Sequence, residues 1–299
     1  AEMYPTTPLS KETQGDTERI IGSWVAANNR RDEVIIATKV AGEGYANVRD
    51  GAPISRETIT IAVENSLRSM RTDYIDLYQL HWPNRGSYMF RKNWHYDPTN
   101  QNKAETLAHM TEVLNCLEDL RKQGKIRQFG LSNESSWGTA QWLRISEELD
   151  LPRAVSIQNE YSLMCRLFDT DLAELCHNEQ VGLLAFSPLA CGVLSGKYEG
   201  GNATPQGSRK SIGADLGGRV NPRMWPAVDA YLDIAKRHAI DPVQLAIAWT
   251  LTRPFMASSI IGATSTEQLA TVLGATEITL GDDVLAEIDA AHRAHPMPY

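Results

Sequence analysis

Residues 71–83 read RTDYIDLYQLHWP, and the run 74–80 within them is dense in tyrosine, isoleucine and leucine. A run of this length, stopped by Trp82 and Pro83, reads as a buried strand rather than a helix. It ends in His81, so a titratable group stands where the strand gives way to a loop. Five other short runs have the same form: residues 34–40 (VIIATKV), 126–131 (IRQFGL), 154–158 (AVSIQ), 182–186 (GLLAF) and 258–262 (SSIIG). Segments of helical period lie between them. The first is expected over about residues 13–28, and Ser55 is placed to cap another by accepting backbone N–H groups that a first helical turn leaves unpaired. A third covers about residues 104–123, where Leu107, Met110, Leu114, Leu117 and Leu120 form one apolar stripe before Gly124 stops it.

Repeated βα units favour a parallel sheet covered by helices, either open and doubly wound or closed into an eightfold barrel. In a barrel the interior is filled by apolar layers, and function collects at the C-terminal ends of the strands. Here each run ends in a residue that hydrogen-bonds or transfers a proton: Lys39, His81, Ser132 with Asn133, Gln158 with Asn159, Ser187, and Thr264. An open dinucleotide-binding sheet would instead gather its chemistry at one switch point behind a G-x-G-x-x-G turn. Gly42 and Gly44 supply two of those glycines, but Asn47 stands in the third place. The pattern predicts an α/β protein of the (β/α)8 TIM-barrel type, with residues 1–299 forming a single domain. Six strands leave two strands and one helix unaccounted for, and these are expected upstream of Ala1, in about 45 to 50 residues at usual element and loop lengths.

With 299 residues, 42% of them hydrophobic, the chain is long enough to bury a large core. The net charge of −8 argues against a sequence-independent nucleic-acid binder, which needs a basic surface to neutralise phosphates. No run approaches the roughly 20 apolar residues that span a bilayer, and no charged and apolar leader opens the chain, so a cytoplasmic protein is expected. Cys116, Cys165, Cys176 and Cys191 show no C-x-x-C pairing, and neither a metal site nor a disulfide framework is expected.

Lys39 puts an ammonium at the end of an otherwise apolar run, where burial is costly unless a negative group or a hydrogen-bond acceptor meets it; the alternative is a strand-end lysine that snorkels to solvent. A phenol of ordinary pKa about 10 is a poor acid at neutral pH, but a nearby ammonium stabilises the phenolate and makes it a better one. A tyrosine and lysine, with an imidazole at the same oxygen, form a device for protonating a carbonyl as it becomes an alkoxide. That device needs a hydride donor.

Four segments carry a resemblance that supplies one. Residues 71–83 (RTDYIDLYQLHWP), 124–133 (GKIRQFGLSN), 158–163 (QNEYSL) and 186–198 (FSPLACGVLSGKY) look like successive strand-end motifs of the aldo-keto reductase superfamily, in the family's order. The long form with LSGKY resembles bacterial Tas-like NADPH-dependent reductases and, more distantly, potassium-channel β subunits. The resemblance implies reversible reduction of aldehydes and ketones by NADP(H). It makes Tyr4 the general acid, Lys39 the group that lowers its pKa, and His81 the residue that orients the carbonyl. The family's aspartate lies five residues before the tyrosine, ahead of Ala1. Ser132, Asn133 and Gln158 match positions that hold the nicotinamide carboxamide, and Phe186 the position that stacks on its ring. Ser187, Pro188, Leu189 and Gly192 would follow the pyrophosphate, with Lys197 and Arg209 as cationic partners. Gly262, Thr264 and Gln268 run into a helix start, a natural seat for a 2′-phosphate; Thr264 and Ser265 could equally serve as caps alone.

Trp82, Tyr88 and Trp94 are the expected substrate wall; the loop of residues 83–103 carries Tyr88, Phe90, Trp94 and Tyr96, aromatic side chains that either meet a ligand or pack on one another. The glycine-rich residues 200–220 suggest a mobile cover, and the tail 295–299 a further pocket element. The expected partner is a small carbonyl compound, and a homo-oligomer is compatible with the sequence. A second reading is a regulatory NADP(H)-binding subunit with little turnover. Such subunits tend to carry asparagine where His81 stands, which tilts the reading toward an enzyme.

Overall fold

The computed structural model describes residues 1–6 and 10–299. Two compact units divide the chain, Ala1–Ile157 and Gln158–Tyr299.

In the first unit strand β1 (Ala37–Val40) pairs in parallel with β2 (Ile75–Leu80), and β2 with β3 (Ile126–Ser132). A fourth strand, β4 (Ala154–Gln158), neighbours β3. Helices α1 (Asp16–Asn28), α2 (Arg56–Met70), α3 (Lys103–Lys122) and α4 (Ser136–Glu148) alternate with them, as a βα reading requires. The register sets Lys39 beside Gln79 and Gln79 beside Gly130, so the ends of β1, β2 and β3 stay level.

Local chemistry explains where these elements begin and stop. Strand β1 is shorter than the apolar run 34–40 because polar side chains take the backbone of its first half. Arg31 donates to the Val34 carbonyl, and the Ile36 N–H donates to the Asp76 carboxylate. Asp76 also receives Arg31 and Arg127, whose guanidinium groups lie 3.9 and 4.0 Å from the centre of the Tyr74 ring. Burial works against the Asp76 charge, but the Ile36 N–H and Arg31 outweigh it and hold its pKa below the usual carboxylate range. Helix α1 starts three residues later than its periodicity suggests, since Gly15 sits at φ 79°, outside helical space. At α2 the Ser55 side chain accepts from Thr58 N, and the Thr58 hydroxyl accepts from Ser55 N, a reciprocal cap. Helix α3 buries Met110, Leu114, Leu117 and Leu120 as expected, with Val113 and Cys116 widening the stripe and Leu107 only half-buried. It ends in paired bonds from Gly124 N to Arg121 O and from Lys125 N to Leu120 O, with Gly124 at φ 75°.

Helices α1 and α2 cross at Gly22, where a Cβ would lie 2.1 Å from the Ser69 carbonyl oxygen. The obstacle is backbone, with no flexible tip to swing aside. Gly22→Ala should therefore cost about 1 to 3 kcal/mol by overpacking. Urea denaturation checks this, and an unchanged midpoint would refute the close crossing.

In the second unit β5 (Gly182–Ala185) pairs in parallel with β6 (Met256–Ser259), with a bulge between Leu183 and Leu184. Strand β6 is displaced from the apolar run 258–262 because its partner ends at Ala185. The next residue, Phe186, turns to bond with the Asn159 carbonyl and bridges Glu160, and beyond the Ile260 N–H bond to Ala185 the run has no ladder. Helices α5 (Leu172–Asn178), α6 (Arg209–Ile212), α7 (Met224–Arg237), α8 (Pro242–Leu251), α9 (Thr266–Leu273) and α10 (Asp282–Ala294) complete it. Its core is aromatic, with the Trp249 and Tyr161 rings stacked 5.2 Å apart beside Phe168 and Phe255. No helix among the described residues is long and apolar enough to cross a membrane.

Candidate active site

The segment carrying Tyr4 is tied to the end of β1. Glu2 N donates to the Lys39 carbonyl (3.3 Å), and the Glu2 carboxylate accepts from Ala41 N (2.6 Å) and pairs with Arg49. Met3 packs with Ala41 and Val48, and Tyr4, Tyr45 and Trp82 close over that cluster. The Tyr4 hydroxyl is thereby brought 3.4 Å from His81 Nε2, with the two rings edge to face. His81 is held by its own N–H on the Val40 carbonyl (3.0 Å) and is 6% exposed.

Burial pushes the His81 imidazole well below its usual pKa, and the Lys39 charge pushes it further, so the ring is neutral at physiological pH. Its Nδ1 is buried without a hydrogen-bond partner among the described residues. Leaving Nδ1 as the bare lone pair avoids an unpaired buried N–H, and this assigns the proton to Nε2, facing the tyrosine oxygen. Lys39 is 8% exposed and has no ion pair among the described residues; burial lowers its pKa from 10.5 to about 8. An ammonium, a neutral imidazole and a phenol thus share one end of the first unit. This set can deliver a proton to a developing alkoxide.

Ser132 and Asn133 follow at the end of β3, each 2% exposed. Asn133, at φ 52°, donates from Nδ2 to the His81 carbonyl (2.9 Å) and to Ser132 Oγ (3.1 Å). Its Oδ1 is buried with no donor among the described residues. A buried carbonyl oxygen in this state fits an incoming amide N–H, as a nicotinamide carboxamide would offer. Trp82 donates to the Glu43 carbonyl (3.0 Å) and lies against Gly42, where a Cβ would fall 2.3 Å from the indole nitrogen. Tyr88 meets Tyr96 edge to face, and Trp94 is 42% exposed.

In the second unit Gln158 is buried at the end of β4 and Phe186 is half-buried after β5. From Ser187 the chain enters a series of tight turns with left-handed residues at Ser187, Ala190, Cys191 and Gly192. Pro188 is buried, and Leu189 packs against Ile247, Val272 and Ala275. A Cβ on Gly192 would sit 2.9 Å from the Lys197 ammonium, so the glycine leaves room for that cation over the turn. Arg209 opens α6 and is exposed. Ser265 caps α9, while the Gln268 side chain accepts from Thr264 N and Oγ1; all of these, with Gly262, face solvent.

The residues that sequence reasoning passed over are charged and buried. Glu160, next to Gln158 and Asn159, accepts from Arg219 Nε and Nη2 and from the Tyr299 hydroxyl. Arg219 belongs to the glycine-rich segment, which is therefore fastened. The Arg85–Glu134 pair is the counterpart in the first unit. A carboxylate two residues after the last residue of a strand, Glu134 after Ser132 and Glu160 after Gln158, was the available signal.

The aldo/keto reductase family profile matches residues 1–293. The chain belongs to that family. Membership carries with it the α/β barrel class that the strand ends suggested, and an oxidoreductase activity. The chain is 42% identical over 301 residues to Protein tas of Escherichia coli, covering 100% of this chain and 85% of that protein. It is 35% identical to an aldo-keto reductase of Babesia bovis, over 87% of this chain and 96% of the relative. An uncharacterized oxidoreductase of Bacillus subtilis, YrpG, is 30% identical over 91% of this chain and 76% of its own length.

Proposed function

We propose that the protein reduces aldehydes and ketones to alcohols, reversibly, with NADPH in the cytoplasm. The observation that carries this reading is the Tyr4 hydroxyl 3.4 Å from the neutral His81 imidazole, at the end of the unit that buries the Lys39 ammonium. When bound, NADPH would supply a hydride to the carbonyl carbon, leaving NADP+ and the alcohol. Tyr4 gives its proton to the carbonyl oxygen, Lys39 stabilises the phenolate left behind, and His81 directs its N–H at the same oxygen.

In the first unit Ser132 and Asn133 are the residues that would hold the carboxamide; in the second, Gln158 is assigned to the same group and Phe186 to the ring. Ser187, Pro188, Leu189 and Gly192 follow the pyrophosphate, met by Lys197 and Arg209. Gly262, Thr264 and Gln268, at the start of α9, would hold the 2′-phosphate. Trp82, Tyr88 and Trp94 form the substrate wall. One family profile running through both units supports treating residues 1–299 as one domain.

The test is fluorescence titration of the purified protein with NADPH, followed by NADPH consumption with a nitrobenzaldehyde and a panel of simple aldehydes. Binding with turnover is expected. Binding without turnover across the panel would favour a regulatory NADP(H) subunit, and neither binding nor oxidation would overturn the reading.

A further inference from the structure

His81 and Asn133 sit on the loops after β2 and β3. A cavity of about 310 Å³ opens beside these loops, lined by Trp82, Pro83, Arg85, Ser132, Glu134 and Trp142 among others. On the side that faces this cavity the two loops have no apolar neighbour to fix their spacing. A polar lattice stands in its place. Arg85, on the loop after β2, meets Glu134, on the loop after β3, through both oxygens, Nη1 at 3.0 Å from Oε2 and Nη2 on Oε1. Their side chains are 8% and 3% exposed. Glu134 also accepts from Trp142 Nε1 (3.2 Å) and Ser135 N (2.7 Å). A Cβ on Gly138 would lie 2.1 Å from Arg85 Nη2 and 2.2 Å from Glu134 Oε1, so the first turn of α4 is shaped around the pair. On the other side of Glu134, Ser87 donates to the Asn133 carbonyl (2.7 Å) and Asn133 donates to the His81 carbonyl.

We propose that Arg85 and Glu134 are positioning residues, a buried clamp between the loops after β2 and β3 that sets His81 and Asn133 at the separation the reaction needs. The inference rests on the carbonyl-reductase reading above. The bidentate geometry suits the task, because two parallel bonds fix angle as well as distance, which a lysine cannot do. Buried ion pairs often add little stability against an apolar replacement, so specificity of position is the better account of this one.

The experiment compares the full chain with Glu134→Gln, Arg85→Lys and the double variant Arg85→Met with Glu134→Met. The double variant removes both charges and so avoids stranding one of them. Circular dichroism and thermal melts establish folding; kcat, aldehyde KM and the NADPH dissociation constant are then measured well below the melting transition. Each folded variant is expected to lose tenfold or more in kcat and to bind NADPH several-fold more weakly, the double variant included even where its melting temperature matches the parent's. Aldehyde KM is expected to change less than kcat. Folded variants with kcat and NADPH affinity within twofold of the parent would overturn the clamp while leaving the carbonyl-reductase reading intact. A parent that neither binds nor oxidises NADPH would overturn both.

Discussion

Tyr4→Phe should lower kcat for aldehyde reduction by about a hundred- to ten-thousand-fold, the span typical of a positioned general acid. The change removes one oxygen and keeps the ring that packs over Met3, Ala41 and Val48, so the variant is expected to fold as the parent does. NADPH affinity should stay the same, since no carboxamide or phosphate contact is assigned to the phenol. The loss therefore belongs in kcat, the signature of an interaction made in the transition state. Steady-state kinetics with a fluorescence-derived dissociation constant decides it. Turnover within tenfold of the parent would mean that the proton comes from another group.

In the chain of residues 1–299, where the buried Lys39 ammonium meets no carboxylate among the described residues, Lys39→Met should abolish most turnover and yet raise stability. The lysine's pKa falls from 10.5 to about 8 because folding buries its ammonium, and that difference corresponds to about 3 kcal/mol of destabilisation at neutral pH. Methionine has a similar length and no charge to desolvate. The sign follows from which form folding disfavours. Below about pH 8 the group is cationic in both folded and unfolded states, and the full cost is present. Between about pH 8 and 10.5 the folded state sheds its proton while the unfolded chain keeps it, and the parent gains stability as pH rises. The variant should lack that rise and melt several degrees higher at pH 7. The same titration governs the rate. Reduction by the parent should hold level below about pH 8 and fall above it, as the charge that acidifies Tyr4 is lost. Thermal melts from pH 6 to 10 and a kcat profile over the same range test both halves. A Lys39→Met protein less stable than its parent at pH 7 would contradict the account.

The strand ends were the legible part of this molecule. Apolar runs that finish in Lys39, His81, Ser132 and Gln158 located the C-terminal ends of four strands, because a buried strand leaves a compositional mark and its end an abrupt change of polarity. Boundaries failed where side chains from far along the chain captured backbone groups, as Asp76 does at Ile36 and Arg31 at Val34. The meeting of Tyr4 with His81 was reached through motif resemblance, since nothing in local spacing joins residues 77 apart. For the two buried ion pairs the sequence marks the carboxylates, which follow strand ends, but not their partners. Arg85 and Glu134 are 49 positions apart, and Glu160 and Arg219 are 59 apart. A charged residue in a loop reads as solvated until the fold supplies its partner.

That last pair changes what the glycine-rich residues 200–220 mean to an attacking protease. Their composition advertises a floppy substrate. Lys210 nevertheless bonds the Gly201 and Ala203 carbonyls, Arg219 is buried on Glu160 and Tyr299, and Asn221 holds the Pro298 carbonyl. To thread this stretch into a cleavage cleft, the segment must first surrender a buried guanidinium to water and strand its carboxylate. Cutting is thereby limited to rare openings rather than set by exposed sequence, and the region of the chain richest in turn residues is guarded by how seldom it lets go.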